Sequence, residues 1–464
     1  MNAAASPGTH PSPALRSDLR LAWLLTHGSD RREWWRVTLT ATGAALATGF
    51  ALAAGVLLSL GVRRTGTSVA EGLVDEPGTR AGVILGLLLL LVPVLGFLGQ
   101  CARVGAVHRD RRLAGLRLAG ATPWQVRRIA ALETGLACLL GSAVATVVSV
   151  LLLLGLESRP DVLAWVVVAL VALAVPALGA AVGALALRRV VASPLGRVRR
   201  VTEIRSARGP GRLFLGGAVL VVAVGVVSAL AGRTSAGGAN WAFLVTVFAA
   251  LLAVGAGAVW LAGASSRLIG RVLAGRARSA TVLIAAERLR ADPWAASRTH
   301  AAVLLVTVVG TGFMGVRHAF LAVLHRDRET LGASTSYYTT GLNLTAAAIT
   351  VAVLITLSGL AVGTAESLAT RRRGLAAQTA AGVPRSVLNR ALLLETALPL
   401  APALLLAGIG GMAFGVGYST LTATSLPWTA LLVPPAAYAA CLLASATALP
   451  LLRRSADPSQ LRYA

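Results

Sequence analysis

The chain contains no lysine, and all 43 of its basic residues are arginine. A nucleotide-binding loop of the Walker type requires a lysine on the phosphates, so this sequence cannot form one. Charged residues are also scarce, at 13% of 464 residues, whereas a soluble protein carries about 25%. The composition therefore excludes an ordinary soluble domain and a P-loop ATPase. We expect a protein that is not an enzyme and binds no cofactor of its own.

Cysteine is almost as rare, since the chain has only Cys101, Cys138 and Cys441. Each lies in an apolar stretch, where a thiol behaves as a small hydrophobic side chain, and the spacing indicates neither a disulfide framework nor a zinc site. The six histidines are scattered and form no His-Glu-x-x-His motif. We expect no catalytic residue and no metal site.

Apolar sequence is what the chain has in quantity, with 56% hydrophobic residues. A helix needs about 20 apolar residues to cross a bilayer. Ten runs approach or exceed that length: Val37–Val62, Ala81–Cys101, Ile129–Leu156, Val162–Leu187, Phe214–Ala231, Trp241–Gly263, Ala301–Val316, Leu342–Val362, Ala391–Tyr418 and Leu426–Leu452. The pattern predicts an all-α polytopic membrane protein with ten transmembrane helices.

Arginine placement predicts the orientation of these spans. With the N-terminus inside, 35 of the 43 arginines fall in cytoplasmic segments, which are 1–36, 102–128, 188–212, 264–300, 368–390 and 453–464. By the positive-inside rule, both termini are then cytoplasmic. The net charge of +25 reflects this bias, and we expect no nucleic-acid partner.

A short basic element occurs twice, as Arg111–Thr134 and again 262 residues later as Arg373–Thr396, with nine identities in 24 positions. Such self-similarity predicts two four-span units with the same orientation, a parallel duplication joined by a two-span connector. The predicted divisions are a cytoplasmic segment with an amphipathic helix (1–36), the first unit (37–205), the connector (206–265), a second cytoplasmic segment with an amphipathic helix (266–298) and the second unit (299–464).

Within the first copy, the residues predict a short basic helix, a tight turn and then a membrane helix. Gly120 suits the residue after a helix end. Thr122 is a suitable N-cap, Pro123 fits the first helical position, and Gln125 completes a capping box. The second copy keeps Gly382 and places Pro384 after it, without the threonine cap.

Two interpretations of the basic element remain open. It is either a solvated connector that carries positive-inside charge or a docking surface, and the two aligned copies favour docking. Glu133 and Glu395 lie early in the following membrane helices, where a charge is costly. Each glutamate either reaches the cytoplasmic face, or pairs with Arg128 or Arg390 five residues earlier, or relays protons; we favour a role in anchoring the helix.

The stretch LRLAGATPWQVRRIAALETGLACLLG, from Leu116 to Gly141, resembles the FtsX-like permease domain of MacB-type ABC transporter membrane subunits. The matching residues are Leu116, Arg117, Gly120, Ala121 and Glu133. The resemblance implies a multi-pass permease subunit of the bacterial cytoplasmic membrane. It also implies a separate cytoplasmic ABC ATPase homodimer that binds ATP and magnesium, and export or extraction of a hydrophobic or amphiphilic substrate from among membrane lipids by mechanotransmission.

The same resemblance implies which residues act. Those expected to couple to the ATPase are Arg111, Arg112, Leu116, Arg117, Gly120, Arg128, Arg373, Leu375, Gly382 and Arg390. Glu133 and Glu395 are expected to anchor the membrane helices.

Two other functions remain as alternatives. A non-transporting FtsX-type relay would signal to an extracytoplasmic partner, but the loops that would hold one, Arg63–Arg80 and His325–Leu342, have only about 18 residues. A secondary transporter would need ionisable residues near the middle of the membrane, and the spans offer few. The sequence therefore favours a transporting permease.

Overall fold

The computed structural model describes residues 31–59, 77–101, 115, 118, 120–156, 160, 162–186, 212–234, 239–328 and 335–451. Nearly all of these residues are helical, and no strand occurs among them. The helices are α1 (Arg31–Ser59), α2 (Pro77–Cys101), α3 (Pro123–Leu156), α4 (Val162–Ala186), α5 (Arg212–Thr234), α6 (Ala239–Arg276), α7 (Ala280–Ala291), α8 (Ala295–Arg326), α9 (Thr335–Thr370), α10 (Arg372–Ala380), α11 (Arg385–Leu421) and α12 (Val433–Ala446), the last preceded by a 3₁₀ turn at Trp428–Leu432.

Among the described residues, eight stretches are long and apolar enough to cross a membrane. They are most of α1, α3, α4, α6 and α9, all of α8 and α11, and Trp428–Leu451, which contains the 3₁₀ turn and α12. Helices α2 and α5 carry shorter apolar stretches, Val83–Leu98 and Leu215–Ser228. The protein is thus a multi-pass helical membrane protein, as the composition predicts. Each of the ten predicted runs overlaps one of these helices, and ten crossings stay a prediction.

Several helices extend well beyond the apolar runs that predict them. Helix α6 continues to Arg276, and α9 begins at Thr335, inside the predicted outer loop. Apolar content marks only the part of a helix that lies in hydrocarbon, whereas backbone hydrogen bonding continues through polar turns at both ends. The predicted cytoplasmic segment from 266 therefore starts as the end of a membrane helix.

The described residues group into two compact units. Unit 1 takes them from Met1–Gly49, Cys101–Val150 and Ala169–Val201, and unit 2 takes them from Phe50–Gln100, Leu151–Val168 and Thr202–Ala464. This grouping reflects packing, whereas the domain boundaries predicted above reflect duplication and stay predictions.

Helix α3 is the centre of packing in unit 1. Its Gly141 lies against the backbone of Ala41 in α1, with no room for a Cβ atom. On the other side, Cys138 lies against Gly179 of α4, and the Ser142 hydroxyl donates to the carbonyl of Ala172, 3.1 Å away. Small residues thus bring membrane helices close enough for backbone contact.

Helix α8 is the corresponding centre of unit 2, where most of its length is buried. It packs against α11 so closely that a Cβ on Gly315 would lie 2.6 Å from the Cα of Gly415. Leu304 of α8 and Leu400 of α11 are fully buried in the surrounding apolar core, which residues of α2, α6, α9 and α12 complete. The long helices of unit 2 are thereby packed around α8.

Candidate functional site

The second copy of the basic element folds as the short helix α10 followed by a turn at Gly382. Gly382 has a φ of 89°, in the left-handed region that glycine adopts without strain. Its N–H donates to the carbonyl of Thr379 at 3.0 Å, and the N–H of Val383 donates to the carbonyl of Gln378 at 3.0 Å. These two bonds form a Schellman motif, so the predicted helix end is confirmed.

The first copy has a glycine in the same left-handed conformation, with a capping box after it. Gly120 has a φ of 99°. The N–H of Gln125 donates to the Thr122 hydroxyl at 3.2 Å, and the N–H of Thr122 donates to Oε1 of Gln125 at 2.9 Å. This reciprocal pair is the predicted capping box, and α3 begins at Pro123 directly after it. The second copy has no side-chain cap at Pro384, also as predicted.

An apolar cluster holds α10 in place. Leu375 of α10 is 1% exposed and packs with Leu368 at the end of α9 and with Leu388 and Leu392 of α11. Val383, just after the turn, packs against the same cluster, as the residue after a Schellman glycine often does. Helix α10 is thus attached to two membrane helices.

A charged cluster lies beside this apolar one, and we call it the Glu395 cluster: Arg288, Arg371, Gln378 and Glu395. Arg371 immediately precedes α10, and its Nη1 donates to both carboxylate oxygens of Glu395, at 2.8 and 3.1 Å. Nη1 of Arg288 in α7 lies 3.5 Å from Oε2 of the same carboxylate. Nη2 of Arg288 also donates to Oε1 of Gln378 in α10, at 3.3 Å. Three helices, α7, α10 and α11, are therefore joined through one carboxylate.

The charged side chains of the Glu395 cluster are largely removed from solvent. The side chains of Arg288 and Glu395 are only 15% and 16% exposed, while Arg371 is 35% exposed. Burial lowers the pKa of the Arg288 guanidinium, and the charge of Arg371 lowers it further, while the attraction of Glu395 opposes both. Two cations therefore share a single carboxylate, and each needs it as a counter-ion.

Helix α7 is fitted closely against the end of α6. The Ser279 hydroxyl caps α7 by accepting from the N–H of Val282. Gly270 of α6 lets the helices approach, because a Cβ there would lie 3.1 Å from the carbonyl oxygen of Ala286. The Trp294 ring lies against Gly263 of α6, with the Arg267 guanidinium 6.0 Å from its centroid. The predicted amphipathic segment is thus a packed helix that presents Arg288 to the cluster.

Exposed arginines lie on α10 and in the first two turns of α11, on either side of the turn at Gly382. Arg373, Arg385 and Arg390 are exposed, and none of the three forms an ion pair within the described part of the chain. Gly382 is exposed between them. This second element therefore offers a cationic surface on a firmly held helix.

The site residues predicted from the sequence differ in how far the structure buries them. In the second copy, Arg373 and Arg390 are on the surface, whereas Leu375 is buried and contributes by packing α10 onto its neighbours. In the first copy, Arg128 is half-buried and Glu133 is 3% exposed. Arg111, Arg112, Leu116 and Arg117 lie outside the described residues.

Within the described part of the chain, Glu395 does not pair with Arg390, which was one of the alternatives that the sequence left open. Instead, Arg371 and Arg288 occupy the carboxylate. Sequence reasoning missed these two residues and Gln378 because the contacts depend on how separate helices pack. Arg371 had one local signal, since it lies two residues before the second copy of the basic element.

The described residues contain no cluster of three or more histidine, cysteine or acidic side chains suited to a metal ion. No protein-family model matches the chain, and no curated protein matches it.

Proposed function

We propose that the chain is the membrane-spanning permease subunit of an ABC transporter in the bacterial cytoplasmic membrane. In this proposal it crosses the membrane ten times as two parallel four-helix units and a two-helix connector, with both termini cytoplasmic. A separate cytoplasmic ABC ATPase homodimer binds ATP and magnesium. The permease uses the motor's motion to export or extract a hydrophobic or amphiphilic substrate.

The pair of glycine turns is the observation that carries the proposal. Gly120 and Gly382 stand 262 residues apart, and both have left-handed backbone conformations, at φ of 99° and 89°. The membrane helices that follow begin at Pro123 and Arg385, again 262 residues apart. Two left-handed glycines, each three residues before the start of a long apolar helix, suit a motor that has two equal subunits.

The second element is built to transmit displacement. Leu375 and the Glu395 cluster tie α10 to α11, so a force applied to α10 at Arg373 moves both helices together. Helix α11 has 37 residues, which correspond to a length of about 55 Å. A tilt imposed at its cytoplasmic end therefore reaches the opposite side of the membrane.

The two elements offer different contacts to a motor. At the first turn, Leu118 and Trp124 are 73% and 69% exposed, whereas Ala380 and Ser386 hold the equivalent positions of the second copy. Large exposed side chains of this kind supply anchor contacts in interfaces. We expect the first element to add these apolar contacts to those of its arginines, and the second to bind mainly by charge.

Site-specific photocross-linking tests the proposal. A photoreactive amino acid replaces Arg373 in the tagged full-length chain, expressed in the bacterium that encodes it, and mass spectrometry identifies the adduct. We expect an ATP-binding cassette protein. The control position is Leu354, which is 60% exposed on a membrane-spanning helix and should give no such adduct. The absence of any cassette protein at Arg373 contradicts the proposal.

Charge reversal gives an independent readout of the same contact. Arg373→Glu with Arg385→Glu should lower the co-purifying ATPase activity by about tenfold or more, equivalent to about 1.4 kcal/mol of binding energy. The control is Arg326→Glu with Arg328→Glu, which reverses two positive charges at the other end of the predicted spans of unit 2. It should leave the co-purifying ATPase activity unchanged. Equal losses in both pairs would rule out specific docking on α10.

A further inference from the structure

Unit 2 contains a cavity of about 350 Å³ that lies away from the Glu395 cluster, between α8, α9 and α12. Its floor is α8, from Val303 to Met314, a distance of about 16 Å along the helix axis. Residues of α9 and α12 form the two walls. The cavity is therefore elongated along the spans.

The lining offers no free hydrogen-bond donor. It consists of apolar side chains, one glycine and three threonines. Each threonine hydroxyl donates to a carbonyl of its own helix: Thr307 to Val303 at 2.9 Å, Thr350 to Ala346 at 2.8 Å and Thr356 to Val353 at 2.9 Å. Water needs two to four polar partners to remain in a cavity, and this one provides only the acceptor lone pairs of three hydroxyl groups, with no donor. Its occupant must be apolar.

The cavity opens sideways, between its two walls. The floor residues Val306 and Gly310 are buried, whereas Thr350 on the α9 wall and Ala436 on the α12 wall are exposed. Both walls belong to helices with membrane-spanning apolar stretches. The opening therefore faces the hydrocarbon that surrounds these spans in a bilayer.

We propose that this cavity binds one acyl chain of a bilayer phospholipid, which enters between α9 and α12. A void of this size would forfeit dispersion contacts along its whole lining if it were empty. A flexible alkyl chain restores them, it fits the elongated floor, and its headgroup stays outside because the lining has nothing to bind it. The proposal concerns a lipid site and holds whether or not the chain is a transporter subunit.

Photolabelling with a tail-labelled lipid tests this site. The full-length protein is placed in nanodiscs of phosphatidylglycerol with a trace of phosphatidylcholine that carries a diazirine near the end of one acyl chain. After irradiation, mass spectrometry maps the labelled peptides. We expect labelling to concentrate on the cavity residues of α8, α9 and α12. Labelling spread evenly over all lipid-facing helices would overturn the proposal.

Matched variants test whether the labelling depends on the cavity. Ala440 lines the cavity, so Ala440→Leu fills it and should reduce cavity labelling by about tenfold. The neighbouring Ala439 is exposed and not part of the lining, and Ala439→Leu should leave labelling unchanged. Thr350→Phe narrows the mouth at an exposed position that tolerates substitution, and should also reduce labelling. Unchanged labelling in both cavity variants would overturn the proposal, whatever their stability.

Discussion

At the scale of single residues, Glu395 is the most consequential side chain that the structure describes. Its carboxylate is largely buried and faces two guanidinium groups, those of Arg371 and Arg288. An acid in a membrane helix suggests proton transfer or a snorkelling surface group when only the sequence is read. The two arginines favour the anchoring interpretation, because they connect this carboxylate of α11 to α7 and to the start of α10.

Glu395→Gln should destabilise the protein, because it leaves Arg288 and Arg371 without their shared counter-ion. We expect a loss of about 1.5–3 kcal/mol, the usual range for a hydrogen-bonded charge. Thermal unfolding in detergent, read as a lower Tm, measures the effect.

Glu287→Gln is the matched control, because Glu287 pairs with Arg290 on the exposed surface of α7, where both side chains are about half exposed. Such a surface pair contributes about 0–1 kcal/mol, so its Tm should barely change. Equal Tm values for the two variants would show that the Glu395 cluster carries no stability.

At the scale of elements, α10, the turn at Gly382 and α11 show which features depend on neighbouring residues and which depend on tertiary packing. The turn is local: Gly382 supplies the left-handed backbone, and two backbone hydrogen bonds close it. The placement of α10 is not local, because Leu375 reaches side chains of α9 and α11. A sequence can therefore indicate where the turn lies without indicating what α10 packs against.

Gly382→Ala should strain the turn, because an L-residue pays about 1–2 kcal/mol in the left-handed region. A Cβ at Gly382 meets no atom within 4 Å, so a steric clash would not explain the loss. The expected result is a lower Tm together with weaker cross-linking from Arg373 to the motor.

Gly374→Ala, in α10 before the turn, should have the opposite effect. Gly374 is helical and exposed, and a Cβ there also meets nothing within 4 Å. Alanine is the better helix former by about 0.5–1 kcal/mol, so this variant should be slightly more stable. If both alanines raised the Tm, the glycine turn would not be the constraint that we infer.

At the scale of the whole molecule, orientation rests on the distribution of arginine. Arg373 on α10 is exposed, and so are Arg326 and Arg328 at the C-terminal end of α8. The long apolar helix α9 lies between these two positions in the chain. If α9 crosses the membrane once, Arg373 and Arg328 must face opposite compartments. The positive-inside rule assigns Arg373 to the cytoplasm.

Single cysteines test this orientation in a background without native thiols. Cys101, Cys138 and Cys441 are at most 2% exposed, and alanine can replace them as small apolar residues. Arg328→Cys should react with a membrane-impermeant maleimide in right-side-out vesicles, and Arg373→Cys only in inverted ones. The reverse pattern would contradict cytoplasmic termini, and reaction of both from one side would contradict the crossing by α9.

The sequence by itself determined the features that depend on neighbouring residues. Apolar run length placed the helices, and Gly120, Thr122 and Gln125 placed a turn and a capping box, because these structures form within a few residues. Tertiary structure decided the rest. Arg371, 24 residues before Glu395, and Arg288 on another helix replaced Arg390 as its partners, and the cavity arose between α8, α9 and α12. Contacts between distant segments depend on how whole helices pack, which no local pattern records.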